Sequence, residues 1–182
     1  KSNISNLEKE NFDTFNFNIY SNEINKDLYS SDISPRENIK KIYNAAIHFV
    51  DNFNNSEEKN LMFLGPTGLG KTFLSNCIAK SLLEKGKTVL YQTAPIMLDT
   101  IISSRFNKQS DNNFMDNLLN VDLLIIDDLG TETINSMKYT ELFTIINTRL
   151  LNQSQKITKT IISTNLDLKT IFSVYNERIA SR

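Results

Sequence analysis

Gly65-Pro66-Thr67-Gly68-Leu69-Gly70-Lys71-Thr72 fits the spacing G-x-x-x-x-G-K-[ST], which is that of a P-loop. Each residue type suits phosphate chemistry. Glycines let backbone N–H groups turn inward around phosphate oxygens. Lys71 adds a full charge for the β- and γ-phosphates, and the Thr72 hydroxyl is placed to ligate Mg²⁺. The expected nucleotide-binding set is Gly65, Pro66, Thr67, Gly68, Leu69, Gly70, Lys71, Thr72 and Phe73. A second group, Asp127-Asp128, ends the apolar run Leu123-Leu124-Ile125-Ile126 and reads as a Walker B element. We expect Asp127 to hold Mg²⁺ through a water and Asp128 to orient or deprotonate an attacking water. Glu132 is a weaker substitute for Asp128. The implied reaction is Mg²⁺-dependent hydrolysis of ATP to ADP and phosphate.

This chemistry needs a particular scaffold. Asn60-Leu61-Met62-Phe63-Leu64 has strand length and precedes the loop. After it, Phe73, Leu74, Cys77, Ile78 and Leu82 recur at helical spacing. Strand, loop and helix aim a helix N-terminus, with its free N–H groups, at the anion. Leu123 to Asp128 reads as a central parallel strand buried on both faces. Its carboxylates then face the crevice where open α/β sheets bind ligands. Two further strands are predicted, at Thr88-Val89-Leu90-Tyr91 and from Thr158 to Asn165. The polar end Ser163-Thr164-Asn165 touches the γ-phosphate or lytic water if its strand lies beside the Walker B strand; otherwise Asn165 caps the following helix. Two helices are expected in residues 95–120, split by the polar stretch 107–113, with Arg105 and Lys108 as a small basic spot. Further helices are expected from Tyr139 to Leu151, with Arg149 as a cation near its C-terminal end, and from Leu168 to Arg182.

Ahead of the loop, residues 1–33 are polar and read as a linker, with residues 34–182 as the ATPase domain. Phe15, Phe17 and Tyr20 interrupt the linker, either as anchors or as an apolar slot for a base. Ser34-Pro35-Arg36-Glu37 starts a helix, with Ser34 as N-cap and Pro35 at its first position. His48 lies on this helix without a metal-binding companion.

The 182 residues suffice for one domain with a core. A net charge of -1 gives no global attraction to nucleic acid, so any such contact needs a local patch. One Cys and one His exclude a disulfide framework and a multi-cysteine zinc site within this chain. No apolar run approaches a membrane span, and a reduced, cytoplasmic setting is expected. We expect a fragment lacking pieces at both ends.

With these motifs in this order, the chain resembles an AAA+ ATPase core, and more narrowly the bacterial DnaC/DnaI-type replicative helicase loaders. The resemblance covers Phe12 to Arg182 and rests on Gly65 to Thr72, Leu123 to Gly130, Ser163 to Asn165 and Glu177 to Arg182. It implies a three-layer α/β P-loop NTPase with a parallel sheet ordered 5-1-4-3-2, its fifth strand and lid missing here. It implies that Asn165 is sensor 1, and that an arginine on the last helix reaches the ATP of a neighbouring subunit. Arg178 is the first candidate and Arg182 the second. It implies self-association into a ring or spiral and weak binding of single-stranded DNA through residues 95–120. The replicative DnaB-type helicase would be contacted through a region outside this chain. Asp-Asp at Asp127-Asp128, where IstB-type transposition helper ATPases carry Asp-Glu, leaves that related family as the alternative.

Overall fold

Apolar runs alternating with amphipathic helices call for a parallel sheet, and the computed structural model has one. It describes residues 7–29, 31–57, 60–106, 112–133, 135–152 and 156–180. Strands β1 (Leu61–Leu64), β2 (Val89–Thr93), β3 (Leu123–Leu129) and β4 (Lys159–Thr164) all pair in parallel, in the order β1-β4-β3-β2. That is the order expected for the first four strands. Around them lie α1 (Lys26–Tyr29), α2 (Pro35–Asp51), α3 (Lys71–Glu84), α4 (Ala94–Phe106), α5 (Asn112–Asn120), α6 (Ser136–Asn152) and α7 (Leu168–Ala180). The polar break expected between α4 and α5 falls largely outside the described residues.

The two-residue period of a strand sends neighbours to opposite faces. Leu123 and Ile125 of β3 and Ile161 of β4 therefore pack with α2 and α3, along with Tyr91 of β2. Leu124, Ile126 and Ile162 pack with α4, α5, α6 and α7 on the other face. Helix α2 begins as expected: Ser34 Oγ accepts from the Glu37 N–H at 3.2 Å and Pro35 stands at the first position. Its exposed His48 ring lies 3.1 Å from Asn52 Nδ2.

The linker expected over residues 1–33 needs correction for its middle part. Phe12, Phe15, Phe17 and Tyr20 pack against the α2–α3 face, and Leu7 joins them. Asn11 is buried, and its side chain caps a 3₁₀ turn at Phe12–Thr14. Rings this large gain more from leaving water than the short segment loses in chain freedom.

Arg149 lies in the last turn of α6, as expected, and is 1% exposed. Its guanidinium donates to the carbonyls of Leu118 (2.8 Å), Val121 (3.0 Å), Asp122 (3.4 Å) and Lys159 (2.7 Å), and to Thr160 Oγ1 (3.0 Å). Burial pulls its pKa down to about 10, with Asp122 opposing, so the group is a cation at neutral pH.

Asp122 fastens the start of β3 to that of β2. Its Oδ2 accepts from Thr88 N–H and Thr88 Oγ1, both at 2.7 Å, and its Oδ1 lies 3.3 Å from Lys156 Nζ. Partial burial raises its pKa, but the Thr88 donors and Lys156 outweigh that and hold it below the ordinary carboxylate value. A depressed native pKa means stability that is present above the unfolded-state value and lost as pH falls through the native one. Asp122→Ala is expected to cost about 1–2 kcal/mol at neutral pH. Urea unfolding of the two proteins should show that gap narrowing as pH drops below the ordinary carboxylate range.

Candidate nucleotide site

Alternation along β3 puts Asp127 on the same face as Leu123 and Ile125, beneath α3. On β4 the same rule puts Ser163 with Ile161, and on β2 Tyr91 with Val89. The first turn of α3 carries Lys71 and Thr72 over this patch. Sequence-distant polar groups therefore converge at the C-terminal ends of the central strands.

Asp127 is 4% exposed and sits at the centre. Its Oδ2 accepts from Thr72 Oγ1 at 3.1 Å and from the Tyr91 hydroxyl. Its Oδ1 accepts from Ser163 Oγ and, at 3.1 Å, from the Asp128 N–H. Between the Ile126–Ile162 and Leu129–Thr164 pairs the β3–β4 register shifts, so Asp127 and Asp128 together face Ser163. Such a bulge re-aims a side chain. Here it gives Asp128 a φ of +56°, a left-handed value that Asp tolerates better than most residues. Partial burial and then the charge of Asp127 raise the pKa of Asp128, with Lys71 opposing.

Gly70 caps α3 at φ +92° and supplies no side chain to its N–H groups. A Cβ there would lie 2.7 Å from the Tyr20 hydroxyl, a side-chain end that can shift, so it is the left-handed backbone that favours glycine. Lys71 Nζ donates to the carbonyls of Gly65 (2.6 Å) and Pro66 (2.9 Å) and to Asn165 Oδ1 (2.7 Å). Asn165 thus meets the loop directly. Phe73 stands edge-on to Phe15 at 5.4 Å, and Tyr20 donates to the Leu69 carbonyl at 3.0 Å. The aromatics ahead of α2 consequently reach the phosphate loop.

Glu132 is turned away from solvent, at 9% exposure. Its Oε2 accepts from the Gly130 N–H at 2.9 Å and its Oε1 from the Tyr175 hydroxyl of α7. It braces the turn after Asp128 and does not replace that residue. Arg178 lies in α7, whereas Arg182 and Lys108 lie outside the described residues. Arg105 is tied to Glu141 through Nε (3.0 Å) and Nη2 (3.2 Å). Cys77 is buried, and burial pushes its thiol pKa up to about 12, which keeps it from acting as a nucleophile. Sequence reasoning did not single out Tyr91 as a site residue. The usable signal was its position, two residues beyond Val89 on the face shared with Asp127.

The family model for IstB-like ATP binding protein matches residues 25–180. This chain belongs to that family. The IstB-like chain is also 30% identical over 148 residues to the replicative helicase loader DnaC of Buchnera aphidicola subsp. Baizongia pistaciae, covering 80% of itself and 58% of that protein. The crystal structure of the DnaC helicase loader matches with a TM-score of 0.68 and 26% identity, over 86% of this chain and 89% of that one. AMPPCP-bound DnaA from Aquifex aeolicus matches with a TM-score of 0.73 and 21% identity, over 96% of this chain and 47% of that one. The family match and these likenesses give the IstB-like chain an AAA+ P-loop core of DnaC type. It spans little more than half the length of the Buchnera relative.

Proposed function

We propose that this chain binds and hydrolyses ATP with Mg²⁺, and that it serves a helicase loader assembling with a replicative DnaB-type helicase for delivery to single-stranded DNA. The observation that carries the ATPase reading is the convergence of Lys71, Thr72, Asp127 and Asn165 at the N-terminus of α3. The residues fit Mg²⁺ bound with a nucleotide. Thr72 and Asp127 offer hard oxygens side by side, and among the described residues no cluster of His, Cys, Asp and Glu forms a cage of its own. Mg²⁺ suits such a site because it keeps waters and shares phosphate oxygens with few protein ligands. Thr72 spends its hydroxyl proton on Asp127 Oδ2, which leaves the lone pairs of its oxygen available to an ion. When bound, Mg²⁺ would neutralise charge on the phosphate oxygens.

The remaining roles belong to the chain. Backbone N–H groups from Thr67 to Phe73 hold the phosphates, and Lys71 supplies charge. Asp128 orients the attacking water, and its raised pKa suits a group that takes a proton. Asn165 faces the γ-phosphate side through its contact with Lys71. Phe15, Phe17, Tyr20 and Phe73 form the apolar side for the base, so residues 7–20 work with the ATPase unit of residues 34–182. Arg178 or Arg182 completes the site of a neighbouring subunit in a ring or spiral, making turnover depend on assembly. DNA contact is weak and salt-sensitive, because Arg105 is already paired. The setting we propose is cytoplasmic; among the described residues no helix is long and apolar enough to cross a membrane.

A second reading, a transposition helper ATPase, is favoured by the description of the matching family. Full-length protein mixed with its organism's replicative helicase separates the two. Under ATP the pair is expected to co-elute on a sizing column. No complex would sink the loader reading and leave the transposition helper.

A further inference from the structure

Asp127 is gripped from both neighbouring strands. Tyr91 on β2 donates to Oδ2, the oxygen that also receives the Thr72 hydroxyl, and Ser163 on β4 donates to Oδ1. We propose that Tyr91 and Ser163 are positioning residues, a two-sided clamp that sets the rotation of the Asp127 carboxylate and so the placing of the Mg²⁺-nucleotide. The inference rests on the nucleotide-site reading above.

Tyr91 is 5% exposed, Ser163 fully buried, and both strands are locked into the sheet on either side of β3. A clamp built on strands holds a carboxylate more tightly than one built on loops. A carboxylate can rotate about its last bond, and each rotation changes which lone pair faces Thr72. Two donors from opposite sides remove that freedom. The Asp128 N–H lies 3.3 Å from Ser163 Oγ as well as 3.1 Å from Asp127 Oδ1. The same serine therefore borders the bulge that aims Asp128.

The test uses a fluorescent ADP analogue, titrated with Mg²⁺ and again with EDTA, together with Mn²⁺ binding to the protein–ADP complex followed by electron paramagnetic resonance. Tyr91→Phe keeps the buried ring, and Ser163→Ala is the second, independent variant. Each is expected to weaken Mn²⁺ binding about tenfold, the usual scale for groups that orient a metal-side carboxylate. Affinity in EDTA should stay within twofold of wild type, which also reports that the variants are folded. Unchanged Mn²⁺ affinity in both variants overturns the clamp. Asp127→Asn is the control. If it leaves Mn²⁺ affinity intact, the metal role of Asp127 fails, and the clamp with it. If it abolishes the metal effect while Tyr91→Phe and Ser163→Ala do not, only the clamp fails.

Discussion

Lys71→Ala is expected to lower ATP affinity by about a hundredfold or more, while leaving the stability of the nucleotide-free protein within about 1 kcal/mol of wild type. The two halves of this expectation have different causes. Towards a polyphosphate, Lys71 brings a full charge at the start of α3, and bonds assisted by that charge are strong. Towards the protein, it bonds the carbonyls of Gly65 and Pro66 and Asn165 Oδ1, and the last two of these contacts lie at the solvent surface. Water can replace them there. Thermal unfolding with and without ATP reads both halves at once, since a ligand that binds only the native state raises its Tm. The variant should melt near the wild-type temperature without ATP and lose the ATP-dependent rise. A variant that keeps that rise would refute the P-loop reading.

Arg149→Met is expected to cost about 3–5 kcal/mol, the largest stability loss predicted for this chain. Methionine fills much of the volume but donates nothing. The carbonyls of Leu118, Val121 and Lys159 would each lose a donor in a place water does not reach easily. The guanidinium also joins the end of α5, the start of β3 and the start of β4. Loss of the group should therefore loosen several elements together. Arg149→Lys should recover little, because a single ammonium cannot span the same acceptors. Guanidinium chloride unfolding measures both variants, and a loss below about 1 kcal/mol for Arg149→Met would contradict the packing argument.

The contrast between these two residues shows what could be read from the chain alone. Lys71 sits in a local pattern whose geometry follows from a strand, a tight loop and a helix start. The parallel sheet was legible for the same reason, since each strand is a short apolar run bounded by turns or helices. A place for Asn165 beside the phosphate site was anticipated only on the condition that β4 lie beside β3, and its bond to Lys71 was not foreseen. Arg149 was not legible. A cation near a helix end usually meets water, and only the crossing of α6 over the strand starts buries it. Glu132 was read only as a weaker substitute, and its brace to Tyr175 was not legible, since spacing gives proximity to Asp128 but not the direction of a side chain. The aromatics at Phe15, Phe17 and Tyr20 were visible as residues, whereas their contact with the loop depends on how the segment folds back over α2 and α3.

The brace formed by Glu132 has a mechanical meaning. From α7 the Tyr175 hydroxyl grips Glu132, and Glu132 grips the Gly130 N–H, two residues from Asp128. Gly130 holds a φ of +100°, and a Cβ there would come within 2.8 Å of Leu166 Cγ, next to Asn165, so the turn takes glycine. Tyr175 is fully buried at one end of this connection. Helix α7 and the turn after Asp128 are thus tied together through a single carboxylate. Helix α7 also carries Arg178, three residues beyond Tyr175, so the helix expected to serve a neighbouring subunit's site is the one fastened beside this chain's own carboxylates.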